Sequence, residues 1–469
     1  MNRRDAIKKT AIATAATIII PSLTSFAFSN RKSLRREFNV LKFGAIGDGK
    51  SIDTQAIQKA IDKAFAAGRQ SKVIIPSGYK FLIGTLELRS GIEFFIDEGA
   101  ELIISTDQNS YRESAVIYAN KADGLIISGY GNIEGRALEF MTHYEEENEW
   151  WIFKPWRPKM FILKSCKNLI LKEFTFSHAP EWGLHMLGCE NVLIDGIKVR
   201  NYLDVPNCDG IDPDHCRNVE IKNCDIVCGD DAIVIKATRQ ETDYGISSNI
   251  HIYDCILETQ DSGVKIGTET TSNINNVIFE RCKIKSSCRG LNIQLRDEGI
   301  VENIVFKDIE FVSRYHSDPW WGRGEAISLT AIPRTQETKI GKIKNVIIKN
   351  IKGKAENSIR INGTKESIIE DVLLENVHVE IDRWTKYKGG LFDNRPTRVY
   401  EPIEYRDNPG ISIRYAQNVK VNNCSIKWGI NIPNYFSNAI KIENSSNIKI
   451  NNFNGKSSNP EKYDDIQFI

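Results

Sequence analysis

Asn168-Leu169-Ile170-Leu171, Asn191-Val192-Leu193-Ile194 and Asn218-Val219-Glu220-Ile221 are three copies of one pattern, an Asn followed by an alternating aliphatic run. It returns at Asn249-Ile250, Asn276-Val277, Asn303-Ile304, Asn345-Val346, Asn418-Val419 and Asn447-Ile448. The first six copies are spaced by 23, 27, 31, 27 and 27 residues. Wider steps of 42 and 73 residues imply insertions, with Asp371-Val372 an imperfect copy inside the second. A strand alternates its side chains between two faces, so each run turns Val, Ile or Leu inward and polar residues outward. One coil cannot bury its own apolar side, but stacked coils pair in parallel and close a continuous core. Asn at a fixed turn position tolerates left-handed backbone angles, and its amide can bond the Asn one coil away. The expected fold is all-β: a right-handed parallel β-helix, a solenoid of roughly ten coils. A leucine-rich horseshoe would need a Leu-rich pattern with helical segments, and those are missing.

The flanks read differently. Ser51 to Gly68 carries Ala56, Ile57, Ala60, Ile61, Ala64 and Phe65 at helical spacing, with Asp53 or Thr54 as N-cap. A solenoid needs its open end covered, so this stretch is expected to cap the first coil. Residues 382–410, rich in Lys, Arg, Gly, Pro and Tyr, read as a long loop. At the start, Arg3-Arg4-Asp5-Ala6-Ile7-Lys8 and the apolar Ala11–Ile20 run look like a twin-arginine export signal. The expected organisation is an export signal over 1–30 and a single β-helix catalytic domain over 31–469, placed in the periplasm or outside the cell. No later stretch is long and apolar enough for a membrane span.

Of 469 residues, 41% are hydrophobic and the net charge is +1, which excludes bulk disorder and argues against a nucleic-acid partner. A monomer is expected. Seven of the ten cysteines keep a fixed offset from the Asn marker: Cys166, Cys189 and Cys216 two before it, Cys224, Cys255, Cys282 and Cys424 six after it. That recurrence implies an interior stack of free thiols, with one bridge open among Cys208, Cys228 and Cys288. No spacing fits a zinc site, and no cofactor or metal is expected.

Three carboxylates stand out: Asp209 in Asn207-Cys208-Asp209-Gly210, and Asp230 and Asp231 in Gly229-Asp230-Asp231. Asp209 and Asp230 lie 21 residues apart, slightly less than one coil, which sets them on neighbouring coils at one azimuth. Like charges held together raise at least one pKa, as a general acid requires. Glycoside hydrolysis needs such an acid and a carboxylate that activates water. Turn chemistry and a calcium site are the competing readings of the same residues.

The surroundings favour the first reading. Phe43-Gly44-Ala45-Ile46-Gly47-Asp48-Gly49, Asp53-Thr54-Gln55-Ala56-Ile57, Trp182-Gly183-Leu184-His185, Asn207-Cys208-Asp209 and Gly229-Asp230-Asp231 together resemble the polygalacturonase-type hydrolases of glycoside hydrolase family 28, over residues 41–311. The resemblance implies Asp230 as general acid, Asp209 and Asp231 as the pair that deprotonates the attacking water, and inversion without a metal. It also implies that Asn207 orients the site and that His185 either touches substrate or makes a buried hydrogen bond. Ser262 stands where the family has a His. Asn292 and Gln294 replace the Arg and Lys that grip a galacturonate carboxylate, and a neutral amide pair offers an anion no charged partner. Lys265, Arg289 and Arg296 could restore positive charge but read more simply as solvated surface residues. The substrate implied is a pectin-like or other acidic polysaccharide, with plain polygalacturonate a poor one. A β-helix lyase and a non-catalytic carbohydrate-binding solenoid are the alternatives. Trp320-Trp321, near His316 and Asp318, and the run from Trp150 to Trp156 read as sugar platforms or packed loops.

Overall fold

The computed structural model describes residues 36–469; the expected export signal lies outside them. The chain is a parallel β-helix. One face is a sheet of thirteen strands in sequence order, and the remaining coil strands form a 24-stranded sheet. Thirteen rungs exceed the roughly ten coils expected. The surplus includes early coils that lack the Asn marker. Asp123 pairs with Lys167, so Gly124 (φ 68°) stands where later coils have Asn168.

The Asn positions behave as their chemistry demands. Asn168, Asn191, Asn218, Asn249, Asn276, Asn303 and Asn345 all have φ between 52° and 58°. Each side-chain amide donates to the residue one coil back: Asn191 to Asn168 at 3.2 Å, Asn218 to Asn191 at 3.0 Å, Asn249 to Asn218 at 3.1 Å and Asn276 to Asn249 at 3.2 Å. A second ladder at the next corner runs through Asn350, Asn376, Asn423 and Asn452. Inside, like stacks on like: Leu169, Val192, Val219, Ile250, Val277 and Ile304 are in register and fully buried. Each such side chain contributes about 1.5–3 kcal/mol relative to exposure. All ten cysteines are free and buried, so no bridge forms among Cys208, Cys228 and Cys288.

Helix α1 (Thr54–Ala66) buries Ile57, Ala60, Ile61 and Ala64 against strands Arg36–Asn39, Ser71–Ile75 and Ile92–Ile96. Asp53 holds the N-cap position, but its carboxylate does not cap the helix; it accepts from Ile46 and Gly47 backbone N–H at 2.7 and 3.0 Å.

The insertions shape the face that carries the aspartates. Residues 382–410 cross the thirteen-stranded sheet over strands Arg289–Leu295, Glu325–Ala331 and Asn357–Asn362. Arg360 donates to Asp393 O, Arg296 to Asn394 O and Gln294 to Arg395 O, and Arg398 N–H reaches Arg334 O beyond the strand ends. The hairpin Met141–Glu145/Trp150–Phe153 and residues 314–324 pack beside it, with Trp150 edge-on to Trp320. Trp320 is buried, so it is a packed loop residue rather than a platform. No helix among the described residues is long and apolar enough to cross a membrane.

Candidate active site

The aspartates sit at corners where the chain bends into the thirteen-stranded sheet. Asn207-Cys208-Asp209 precedes strand Ile211–Asp214, and Gly229-Asp230-Asp231 precedes strand Ile233–Ala237. Gly210 N–H donates to Asp231 O and Ala232 N–H to Ser262 O, so Asp209, Asp231 and Ser262 take one corner position on three successive coils. The stacking needs glycine: a Cβ on Gly210 would lie 2.3 Å from Ala232 O, and one on Gly229 2.2 Å from Val205 O. Asp209, Asp230 and Asp231 each present an oxygen, and these lie within 4.8 Å of one another. The sequence expectation of one shared patch thus holds, but the patch is recessed: the three residues are 2%, 8% and 1% exposed.

Burial first, then the neighbouring carboxylates, pushes Asp209 and Asp230 well above the ordinary range; for Asp209 the main neighbour is Asp212, for Asp230 it is Asp209. Burial and Asp261 raise Asp231 as well. Two buried ammonium groups divide the trio. Lys265 Nζ lies 2.6 Å from Asp231 and 3.6 Å from Asp261. Lys236 Nζ lies 3.7 Å from Asp209, 3.9 Å from Asp212 and 3.4 Å from Glu269. Burial opposes their charge, yet Asp231 and Asp261 raise Lys265, and Glu269, Asp209 and Asp212 hold Lys236 well above its usual value. Burial works against ionised Glu269 too, but Lys236 and Arg334 bring it down to about 2. Asp230 has no ammonium or guanidinium within 4 Å among the described residues. Its Oδ2 accepts from Asn207 N–H at 3.2 Å, and Asn207 Oδ1 accepts from Arg157 at 3.0 Å. The trio is also the group that could hold a cation, with the two lysines competing for the same oxygens.

Other expected site residues fall into place differently. His185 Nε2 lies 3.1 Å from Asp214, and burial lowers its pKa, so its partner is the protein. Ser262 Oγ donates to Asp261 and accepts from Asn292. Asn292 also donates to Gln294, whose amide holds the Arg395 carbonyl at 3.2 Å. Asn292 and Gln294 are 0% and 1% exposed, a sealed floor rather than an open contact surface. Lys265, Arg289 and Arg296, expected as solvated, are all buried. Arg289 pairs with Asp261, Glu325 and Asp393, and Arg296 is spent on the Asn394 and Arg395 carbonyls, because the 382–410 loop lies over them. The sequence reading missed Lys236, Asp212 and Glu269. A charged residue in the otherwise apolar Ile233-Val234-Ile235-Lys236-Ala237, on the outward parity, was the available signal for Lys236. Trp182, half-buried one coil before Asp209, offers an aromatic face with Lys236 Nζ 4.9 Å from its ring centre.

Carboxylates grouped at one corner of a parallel β-helix offer the acid and base that glycoside hydrolysis needs. The family model described as "Glycosyl hydrolases family 28" matches residues 66–388, and the chain belongs to that family. A probable polygalacturonase of Arabidopsis thaliana is 28% identical over 267 residues, covering 55% of this chain and 54% of the relative. A probable polygalacturonase of Vitis vinifera is 26% identical over 298 residues, covering 58% and 59%. The chain thus spans little more than half the length of these relatives. Among solved structures, an exopolygalacturonase of Thermotoga maritima superposes with TM-score 0.67 at 21% identity, covering 84% of this chain and 92% of that one. A family 28 exopolygalacturonase of Yersinia enterocolitica gives 0.68 at 20%, covering 90% and 79%. These likenesses fix the fold.

Proposed function

We propose that this chain is an exported inverting hydrolase of a pectin-like or other acidic polysaccharide. The observation that carries the reading is the division of the trio by charge. Burial raises all three carboxyls, but Asp209 and Asp231 each face an ammonium group that favours the ionised form, whereas Asp230 faces none and is the one of the three most disposed to keep a proton. Asp230 gives that proton to the glycosidic oxygen as the bond to the anomeric carbon breaks. Water held by Asp209 and Asp231 attacks the opposite face and loses its proton to that pair, leaving an inverted hemiacetal and a free hydroxyl. Replacement of Asp230 by Asn is expected to lower kcat by about 10²–10⁴-fold while oligosaccharide binding persists. Unchanged turnover would assign the acid elsewhere.

One distance favours a second reading. One oxygen from each carboxylate lies within 4.8 Å of the others, and carboxyl groups held this close also suit a covalent glycosyl-aspartate. Proton NMR of the first-formed anomer separates the two. The lyase alternative requires a neutral base, and Lys236 and Lys265 are held protonated by their carboxylates. The 382–410 loop, lying across the sheet on the C-terminal side of the trio, supports attack from a chain end. Early products should then be one short oligomer; a broad ladder of sizes would indicate internal cleavage. For export, replacement of Arg3 and Arg4 by Lys is expected to retain the precursor inside the cell, read by fractionation.

A further inference from the structure

Beside the trio, where the 382–410 loop meets the end of strand Glu325–Ala331, lies a hollow of about 460 Å³. Its walls are Trp321, Arg334, Arg395 and Arg398, completed by Thr335, Pro396 and Thr397. Three guanidinium groups face it and no carboxylate lines it. Arg395 is fixed by Asp393 at 2.7 Å and lies over the Trp321 ring, 4.7 Å from its centre. Arg334 is fixed by Asp297 at 2.7 Å and by the Thr268 carbonyl at 2.9 Å. Arg398 is exposed and has no ion-pair partner among the described residues. Behind the wall, buried Arg296 donates to backbone carbonyls and the Thr330 hydroxyl and to no carboxylate, so the local charge leans positive.

The hollow is tied to the trio. Arg334 reaches Glu269 at 3.3 Å, Glu269 reaches Lys236 at 3.4 Å, and Lys236 reaches Asp209 at 3.7 Å. Underneath, Asn292 and Gln294 form a floor from Ser262 to the Arg395 carbonyl. Only two side chains, Glu269 and Lys236, thus separate the arginine hollow from Asp209.

We propose that the Arg334–Arg395–Arg398 hollow binds the carboxylate of a uronate unit of the substrate, with the Trp321 ring beside the sugar. The proposal rests on the reading of the chain as a hydrolase of acidic polysaccharide. Arg395, whose donors are spent on Asp393 and on the carbonyls of Asp318, Pro319 and Trp320, fixes the wall, while the exposed Arg398 supplies uncompensated charge that suits a planar carboxylate. Positive charge for the substrate then comes from the crossing loop, not from the sheet positions held here by Asn292 and Gln294.

The test compares kcat/KM on trigalacturonate and on its methyl-esterified form, for the wild type and for Arg398→Gln and Arg398→Lys. The acid-over-ester preference should fall about tenfold in Arg398→Gln, through KM, and return in part in Arg398→Lys. An unchanged preference, or equal losses on both substrates, would overturn the proposal. Calorimetric titration of trigalacturonate into the wild-type and Arg398→Gln chains under conditions without turnover reads the site independently of catalysis. Binding that weakens in the variant supports the site even if no pectic substrate is cleaved, which would count against the hydrolase reading alone. Binding indifferent to the variant, or tighter binding of a sulfated galactan trimer than of trigalacturonate, would overturn the carboxylate assignment.

Discussion

Burial beside other carboxylates pushes the Asp230 carboxyl well above the ordinary range in the folded protein, and that has a cost. A folded-state pKa above the unfolded value near 3.9 means that the folded chain binds more protons, so stability falls as pH rises above about 4 through the raised folded value. Asp230→Asn removes the share of this dependence that Asp230 contributes. Its Tm should exceed that of the wild type at pH 7 and approach it near pH 4; scanning calorimetry at both values checks this, and a lower Tm at pH 7 would count against a strained acid. Lys236 acts in the opposite sense on its neighbour, offsetting part of the rise that burial and Asp212 cause at Asp209. In Lys236→Met the acidic limb of the pH–rate profile should move to higher pH, with activity at pH 5 falling about tenfold more than at pH 7. A uniform loss at all pH values would mean that Lys236 only supports packing.

A coil is held by its corners as well as by its core. Asn249 sits at φ 56° and bonds to Asn218 and Asn276. Asn249→Ala loses both amide bonds and keeps the left-handed angle, for an expected cost of about 1–3 kcal/mol by urea unfolding. Asn249→Gly relieves the angle and should recover part of it. At the N-terminal end, α1 packs on the first strand pair, Arg36–Asn39 with Ser71–Ile75. Its role as a cap is testable. Ile61→Lys places a charge at a fully buried position, with an expected cost of about 3 kcal/mol or more. If α1 shields the open end, light scattering should also show association through the bared first coil; destabilisation without association would limit α1 to packing.

Over the whole molecule, stability is a sum of coil and neighbour terms running along one axis, and ten thiols lie along that axis without a single bridge. Titration with an aromatic disulfide should find almost none of them reactive in the native chain and all ten after denaturation. Reducing agent should leave Tm unchanged. Reactive native thiols would show that the coils open locally.

The repeat, the parallel coil, the helix after Asp53 and the grouping of Asp209, Asp230 and Asp231 were legible in the sequence, because each rests on local periodicity or on a spacing near one coil. Stacking converts such spacing directly into proximity. What the sequence left open is set by chain that returns from far away. Gln294 meets Arg395 across 101 residues, and Arg334 meets Glu269 across 65. Insertion length says that a loop exists, not which face it crosses. Crossing the site face is what buries Arg289 and Arg296, turns Asn292 and Gln294 into a floor, and brings Arg395 and Arg398 to the edge of the site. Those positions were decided by tertiary packing, since the charge of a side chain is written in the sequence but its solvent and its partners are not.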